Sequence, residues 1–312
     1  MRVLFLGSPK FAKIVLSHLI ESKHEVVAVI CQMDKPSGRG NKINPPEIKP
    51  YAIENGLNVL QYKKVNDNID EIKKLDFDVF VTASFGQILS REFLSLKTGL
   101  NIHPSMLPKY RGATPLQTAL LNNDAKTGVT IQRMRYEVDS GEIYAQKEFD
   151  IFEDDDFDSL GDRLAHEGGK MLVNLLDEME EKTIIPVEQK GEITFTKLVD
   201  KKDGFLDFKN STANHIKGQV RAYGFNPGAF FFLDGERVKV FKVKVCEDLT
   251  DEVGKVIIKD KRFVIRCKEN SVEILTLQTQ NGKKIDTKSF LNGYKPKGMI
   301  ISDAPWFNVK WT

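Results

Sequence analysis

Up to about residue 181 the chain alternates strand-sized apolar runs with helical patterns, and this alternation constrains the fold more than any other feature. Arg2 to Leu6 is a short apolar strand, the turn Gly7-Ser8-Pro9 follows, and Phe11, Ile14, Val15 and Leu19 mark one helical face. Further strands are expected at Glu25 to Cys31, Val59 to Gln61, Val79 to Ala83, Leu100 to His103, Val129 to Met134 and Ile143 to Phe149. Helical patterns fall between them, at Pro46 to Asn55, Arg91 to Leu96, Thr114 to Asn122 and Phe157 to Glu181. Such alternation predicts an α/β, Rossmann-like fold with a mostly parallel, helix-covered sheet.

Beyond about residue 206 the pattern changes. One helix is expected at Ser211 to Arg221, then short strands at Ala229 to Leu233, Val238 to Val245, Gly254 to Ile258, Phe263 to Cys267 and Val272 to Gln278. Turns of the Asp234-Gly235 and Asn281-Gly282 kind join such strands, so a small, OB-like β-barrel is expected. The division is therefore 1–189 for a catalytic domain, 190–206 for a linker and 207–312 for the barrel, in line with a length of 312 residues. Charge divides the same way. From Asp207 to Thr312 there are 19 basic and 12 acidic residues, a net of +7, against 27 and 32 in the remainder, a net of −5. A basic module of this kind can hold a polyanion; ordinary surface lysine is the competing explanation.

Composition excludes several classes. With 41% hydrophobic and 29% charged residues the chain fits a globular protein rather than a disordered one. No apolar run approaches the roughly 18 residues that a membrane helix needs, so no membrane partner is expected. The opening residues read as a first strand rather than a secretory signal. Cys31, Cys246 and Cys267 are isolated, which argues against a disulfide framework or zinc ribbon and for a reducing cytoplasm. Gly7-Ser8-Pro9-Lys10-Phe11-Ala12 has one of the glycines of a dinucleotide fingerprint, and no GxxxxGK[ST] occurs, so no nucleotide cofactor is expected.

The densest run of polar groups at a strand end is Asn101-Ile102-His103-Pro104-Ser105-Met106-Leu107-Pro108-Lys109-Tyr110-Arg111-Gly112. In an open α/β sheet, ligands bind beyond the carboxyl ends of the strands. Asn101 and His103 are two apart, so both side chains emerge on one face. An amide N–H and an imidazole converging on one point can stabilise an oxyanion, and the imidazole can also shuttle a proton. The alternative is that His103 caps the strand and Asn101 bonds to backbone. A carboxylate to tune the imidazole is offered by Asp139, in the turn Arg135-Tyr136-Glu137-Val138-Asp139-Ser140-Gly141, where an ordinary turn aspartate is the competing reading.

The run Asn101 to Pro108, continued by Tyr110-Arg111-Gly112-Ala113 and Pro115, strongly resembles the signature of the formyltetrahydrofolate-dependent formyltransferase family. Asp139-Ser140-Gly141 resembles that family's aspartate turn. Arg221-Ala222-Tyr223 to Asn226-Pro227-Gly228 resembles the barrel appended in its tRNA-acting members. Met106 departs from the usual leucine but keeps its volume and apolarity. The resemblance implies that Asn101, His103 and Asp139 are catalytic. It also implies that Ser105, Met106, Leu107 and Pro108 border the folate, and that Phe85, Gly86, Gln87, Ile88 and Leu89 form a pterin-binding segment. A buried strand running into a helix start is the plainer reading of that last stretch.

The loop 33–42, with Gly38-Arg39-Gly40-Asn41-Lys42, resembles the insertion that tRNA-acting members present to the acceptor stem. Arg39 is carried over on that ground, and Lys42 is added as a phosphate contact; a solvated loop is the alternative. Within the barrel, alternation puts Lys242 and Lys244 on one face, where they could follow an RNA backbone. The expectation is a cytoplasmic, monomeric enzyme without a metal that moves a formyl group from 10-formyltetrahydrofolate, its co-substrate, to methionyl initiator tRNA. Rival readings are transfer to an amino sugar, hydrolysis of the formyl folate, and an RNA-binding protein on a relic scaffold.

Overall fold

Strand β1 (Arg2–Gly7) has Val3 through Leu6 fully buried, as a parallel strand covered on both faces requires. The order continues with α1 (Lys10–Ile20), β2 (Glu25–Cys31), β3 (Lys35–Ser37), β4 (Lys42–Asn44), α2 (Ile48–Glu54), β5 (Val59–Gln61), α3 (Ile69–Ile72) and β6 (Val79–Ala83). It then runs through α4 (Arg91–Leu94), β7 (Thr98–His103), α5 (Pro115–Leu121), β8 (Lys126–Arg133), β9 (Ile143–Asp150) and α6 (Phe157–Glu181). The structure is a computed structural model that describes residues 1–37, 42–224, 226–293 and 301. The chain divides into two units, Met1–Pro115 with Lys126–Ile151 and Asp158–Lys197, and Leu116–Ala125 with Phe152–Phe157 and Leu198–Thr312.

The first unit is built on a seven-stranded sheet in the order β5-β2-β1-β6-β7-β8-β9. Strands β5 through β7 are parallel, and β8 and β9 close the sheet antiparallel. The mostly parallel, helix-covered sheet expected from the alternation is the one found. Chain order reverses between β1 and β6, the kind of switch point outside which open α/β sheets hold ligands. Leu4, Leu6, Ile30, Phe80 and Phe93 form a core on one face, with Phe80 and Phe93 edge to face at 5.3 Å. Helix α6 comes close to β7: a Cβ on Gly168 would lie 2.9 Å from Ile102 Cγ2. The absence of a side chain at Gly168 is therefore part of how the strand bearing Asn101 and His103 is packed.

At its two described ends, the 33–42 loop forms strands that its turn-rich composition does not predict. Three-residue β3 and β4 pair antiparallel, Lys35 opposite Asn44 and Ser37 opposite Lys42, in strands too short to show an alternation. Its base is held by Lys49, whose Nζ donates to both Asp34 carboxylate oxygens at 3.0 and 2.8 Å and to Gln61 Oε1 at 2.7 Å. Residues 38–41, including Arg39, lie outside the described residues, and so does the side chain of Lys42.

In the second unit come α7 (Ala213–Tyr223), β10 (Phe230–Leu233), β11 (Glu236–Cys246), β12 (Val256–Lys259), β13 (Arg262–Arg266), β14 (Ser271–Thr279), β15 (Ile285–Asp286) and α8 (Thr287–Gly293). The strands form an antiparallel half-barrel, order β10-β11-β14-β13-β12 with β15 beside β14. Asp234 and Gly235, at φ +50° and +81°, make the two-residue turn between β10 and β11. Asp260 and Lys261 do the same between β12 and β13, at φ +51° and +58°, without a glycine to announce it. Phe208, Phe231, Phe263 and Phe290 fill the interior with Ile216 and Val220 of α7. Among the described residues no helix is long and apolar enough to cross a membrane.

Candidate active site

Three adjacent strands bring polar side chains to the carboxyl end of the sheet. Thr82 of β6 lies beside Asn101 of β7, and Asn101 lies opposite Gln132 of β8. Thr82 stands in the otherwise apolar β6, and Thr82 and Gln132 are buried. A buried polar group needs a partner: Thr82 finds it in Asn101, and Asn101 and Gln132 find it in Asp139. The Thr82 hydroxyl donates to Asn101 Oδ1 at 2.8 Å, which orients the amide so that its Nδ2 donates to Asp139 Oδ1 at 3.2 Å. Gln132 Nε2 donates to the same carboxylate oxygen at 2.7 Å.

Asp139 reaches this position from the turn between β8 and β9. Its φ of +50° is one that aspartate tolerates better than most residues. Its second oxygen, Oδ2, accepts the Gly112 N–H at 2.8 Å and lies 3.6 Å from His103 Nδ1. The carboxylate therefore holds Asn101 directly, while its approach to the imidazole stops short of a hydrogen bond. The other ring nitrogen, His103 Nε2, is 2.9 Å from the Tyr110 carbonyl. A carbonyl only accepts, so the proton is on Nε2 and the Nδ1 edge is the one turned to Asp139. His103 is 4% exposed, which places the group in a medium that strengthens its electrostatics. Asn101, His103 and Asp139, named from the sequence, are thus brought together.

The expected site leaves out Thr82 and Gln132, although a polar residue inside Val79-Phe80-Val81-Thr82-Ala83 and inside Val129-Thr130-Ile131-Gln132 is a readable signal. The Tyr110 carbonyl and the Gly112 N–H could not be read at all, because backbone groups carry no sequence label.

The loop after β7 is stiffened from within. Thr130 Oγ1 donates to the Ser105 carbonyl at 2.7 Å and accepts from Leu107 N at 3.2 Å, and Ser105 Oγ donates to the Lys109 carbonyl at 2.6 Å. Ser105 and Leu107 point inward, Met106 is half-buried, and the Leu107–Pro108 peptide is cis. In the segment after β6, Phe85 and Leu89 belong to the core, and Ile88 is 71% exposed. Gln87 bridges backbone, donating to the Tyr62 carbonyl at 3.1 Å and accepting from Val65 N at 2.9 Å. Gly86, at φ +76°, and the Phe85 carbonyl, bonded by Gln32 Nε2 at 3.0 Å, shape the turn.

In the second unit Lys242 and Lys244 are exposed on one face with Val243 buried between them, as alternation predicts. Lys242 pairs with Asp154 at 2.9 Å and holds that carboxyl below its ordinary range. Among the described residues one set of metal-ligating side chains falls together, His24, Asp177 and Glu180, within 4.8 Å. It lies at the amino end of β2, opposite the end that carries His103, and the Lys23 ammonium pairs with both carboxylates at 2.9 and 3.1 Å.

Residues 1–176 match the family described as formyl transferase, and residues 198–295 match the formyl transferase C-terminal domain. A methionyl-tRNA formyltransferase of Sulfurihydrogenibium sp. (strain YO3AOP1) is 39% identical over 307 residues, 95% of this chain and 98% of that one. Among solved structures, the sugar 3N-formyl transferase WlaRD has a TM-score of 0.67 at 21% identity, over 91% of this chain and 99% of its own. HypX from Aquifex aeolicus, in complex with tetrahydrofolic acid, has a TM-score of 0.64 at 19% identity; it aligns over 99% of this chain, which spans only 50% of HypX. With both halves matched in order and a relative of this identity over nearly its whole length, the chain belongs to the formyl transferase family.

Proposed function

We propose that this protein transfers the formyl group of 10-formyltetrahydrofolate to the α-amine of methionyl initiator tRNA, as a monomer in the cytoplasm. The observation that carries the reading is the Asn101–Asp139 hydrogen bond beside the His103 imidazole at the carboxyl end of the sheet. The name of the Sulfurihydrogenibium relative supports the acceptor, and the folates in the WlaRD and HypX structures support the donor.

In this reaction the amine nitrogen attacks the formyl carbon and the carbonyl electrons move onto oxygen. Collapse of the tetrahedral intermediate breaks the bond from carbon to the folate N10, which leaves with a proton, while the amine loses one. Asn101 Nδ2 carries a second hydrogen besides the one given to Asp139, and that N–H is the donor for the oxyanion. Asp139 fixes the amide and receives the proton of the attacking amine. His103, with Nε2 anchored on Tyr110, exchanges a proton through Nδ1 beside Asp139. The folate lies along 85–89 and 105–108, where exposed Ile88, half-buried Met106 and the free edges of two stiff turns suit a flat heterocycle. Arg39, Lys42, Lys242 and Lys244 take the RNA backbone, and 207–312 serves as the RNA-holding domain behind the 190–206 linker.

An acceptor screen with 10-formyltetrahydrofolate tests the reading. Formyl-methionyl-tRNA is the expected dominant product. Faster formylation of amino-sugar nucleotides, or release of formate without an acceptor, would replace it.

A further inference from the structure

The catalytic group is held by two loops, 104–114 and the Asp139 turn, and both are bound from outside by the segment that follows α6. Val187 and Ile143 exchange two backbone hydrogen bonds, at 2.7 and 2.9 Å, just past the Asp139 turn. Further along, Thr194 Oγ1 accepts from Tyr110 N at 2.8 Å, Thr194 O accepts from Arg111 N at 2.8 Å, and Thr196 N donates to Arg111 O at 2.8 Å. Tyr110 is the residue whose carbonyl fixes His103, and Gly112, beyond Arg111, is the one whose N–H fixes Asp139. Thr196 passes so near that a Cβ on Gly112 would meet its Oγ1 at 2.5 Å.

Between these two attachments stands Gln189. Its Nε2 donates to the carbonyls of Asp139 at 2.9 Å and Gly141 at 2.7 Å, on either side of Ser140, with a longer contact to Gln132 Oε1 at 3.4 Å. Its Oε1 accepts from Nε and Nη2 of Arg111, at 3.1 and 2.7 Å. One amide thus joins the turn that carries Asp139 to the loop that carries Tyr110 and Gly112. Charge-assisted bonds from a guanidinium are among the stronger neutral-partner contacts, so the arm toward Arg111 is stiff.

We propose that Gln189 is a positioning residue for formyl transfer, joining the Asp139 turn to Arg111 so that carboxylate, Asn101 amide and His103 imidazole keep their spacing. The proposal rests on the formyl-transfer reading above. Gln189 has no role of its own at the reacting atoms: it acts through Asp139. Its loss is therefore felt in kcat, where spacing matters, more than in substrate affinity.

Gln189→Ala and Gln189→Glu are compared with the wild-type enzyme using 10-formyltetrahydrofolate and methionyl initiator tRNA, in the native and in the Asp139→Asn background. Wild-type turnover tests the function, and the ratio of variant to wild type tests Gln189. Gln189→Ala is expected to lower kcat about tenfold, inside the roughly 10²-fold that a 1 Å misplacement costs, with both KM values within about twofold. Gln189→Glu keeps the acceptor for Arg111 but sets a carboxylate against two carbonyls, and is expected to lose at least as much. In the Asp139→Asn background the same substitutions are expected to cost less than about twofold, because the turn they hold no longer carries the carboxylate whose placement they set. Unchanged kcat in both variants, a full rate for Gln189→Glu, or the same tenfold loss in both backgrounds would overturn the proposal.

Discussion

The two units solve opposite problems with their polar residues. At the carboxyl end of the first unit's sheet, Thr82, Asn101, Gln132 and Asp139 form a hydrogen-bonded chain, and His103 is buried with Nε2 anchored on a carbonyl. In the second, Lys242 and Lys244 project from an exposed strand face, and the salt bridge of Lys242 to Asp154 joins two exposed side chains. An oxyanion is stabilised by dipoles that do not have to reorganise, which calls for burial and fixed partners. A polyanionic backbone is held by charges that add up in water, each worth little and each screened by salt. On the proposed function, the first unit is expected to be steeply sensitive to one substitution and the second only gradually.

The sharpest way to break this contrast is His103→Ala, expected to lower kcat by about 10² to 10³ while the thermal midpoint stays near wild type. A loss of less than tenfold, read from initial rates, would remove the imidazole from the chemistry. Next in size is Arg39→Ala, expected to raise KM for charged tRNA several-fold more than KM for the folate. Equal shifts in the two constants would detach that loop from RNA. Smaller still, Lys242→Ala and Lys244→Ala are each expected to flatten the dependence of log affinity on log salt by roughly 0.7 to 0.9. Filter binding at several salt concentrations reads that slope, and an unchanged slope would mean that neither lysine meets a phosphate.

The smallest effect tests what the two units share. Burial pushes the Cys31 thiol of the first up to about 11 and the Cys267 thiol of the second up to about 12. A raised thiol pKa leaves little thiolate at pH 8, on the order of one part in 10³ or fewer. Both should stay unalkylated by iodoacetamide at pH 8, while half-buried Cys246 reacts first. Mass spectrometry counts the adducts, and early labelling of either buried thiol would show that its unit opens.

Much of this contrast was legible in the sequence. Glu25–Cys31 and Val59–Gln61 are strands with the bounds their apolar runs predict, and Asn101 and His103 share a face because strands have a period of two. Composition and turn residues also announced the change from parallel sheet to half-barrel. What was not legible depends on distance along the chain or on brevity. Gln189 meets Asp139 only once the segment after α6 has folded back across 50 residues of chain. The hairpin of β3 with β4, the short α3 and the two-residue β15 are too brief for any periodicity to register. The turn at Asp260-Lys261 lacks the glycine that marks most turns of its kind.

The division of labour is tested most directly by single-turnover formylation with Asp139→Asn, measuring the chemical rate and the affinity for methionyl initiator tRNA in the same preparation. This substitution keeps the shape of the side chain but removes the charge to which Asn101, Gln132 and Gly112 now donate. A rate lower by at least about 10²-fold is expected, with tRNA affinity within about twofold of wild type. A rate close to wild type, or a rate and an affinity that fall together, would contradict this division.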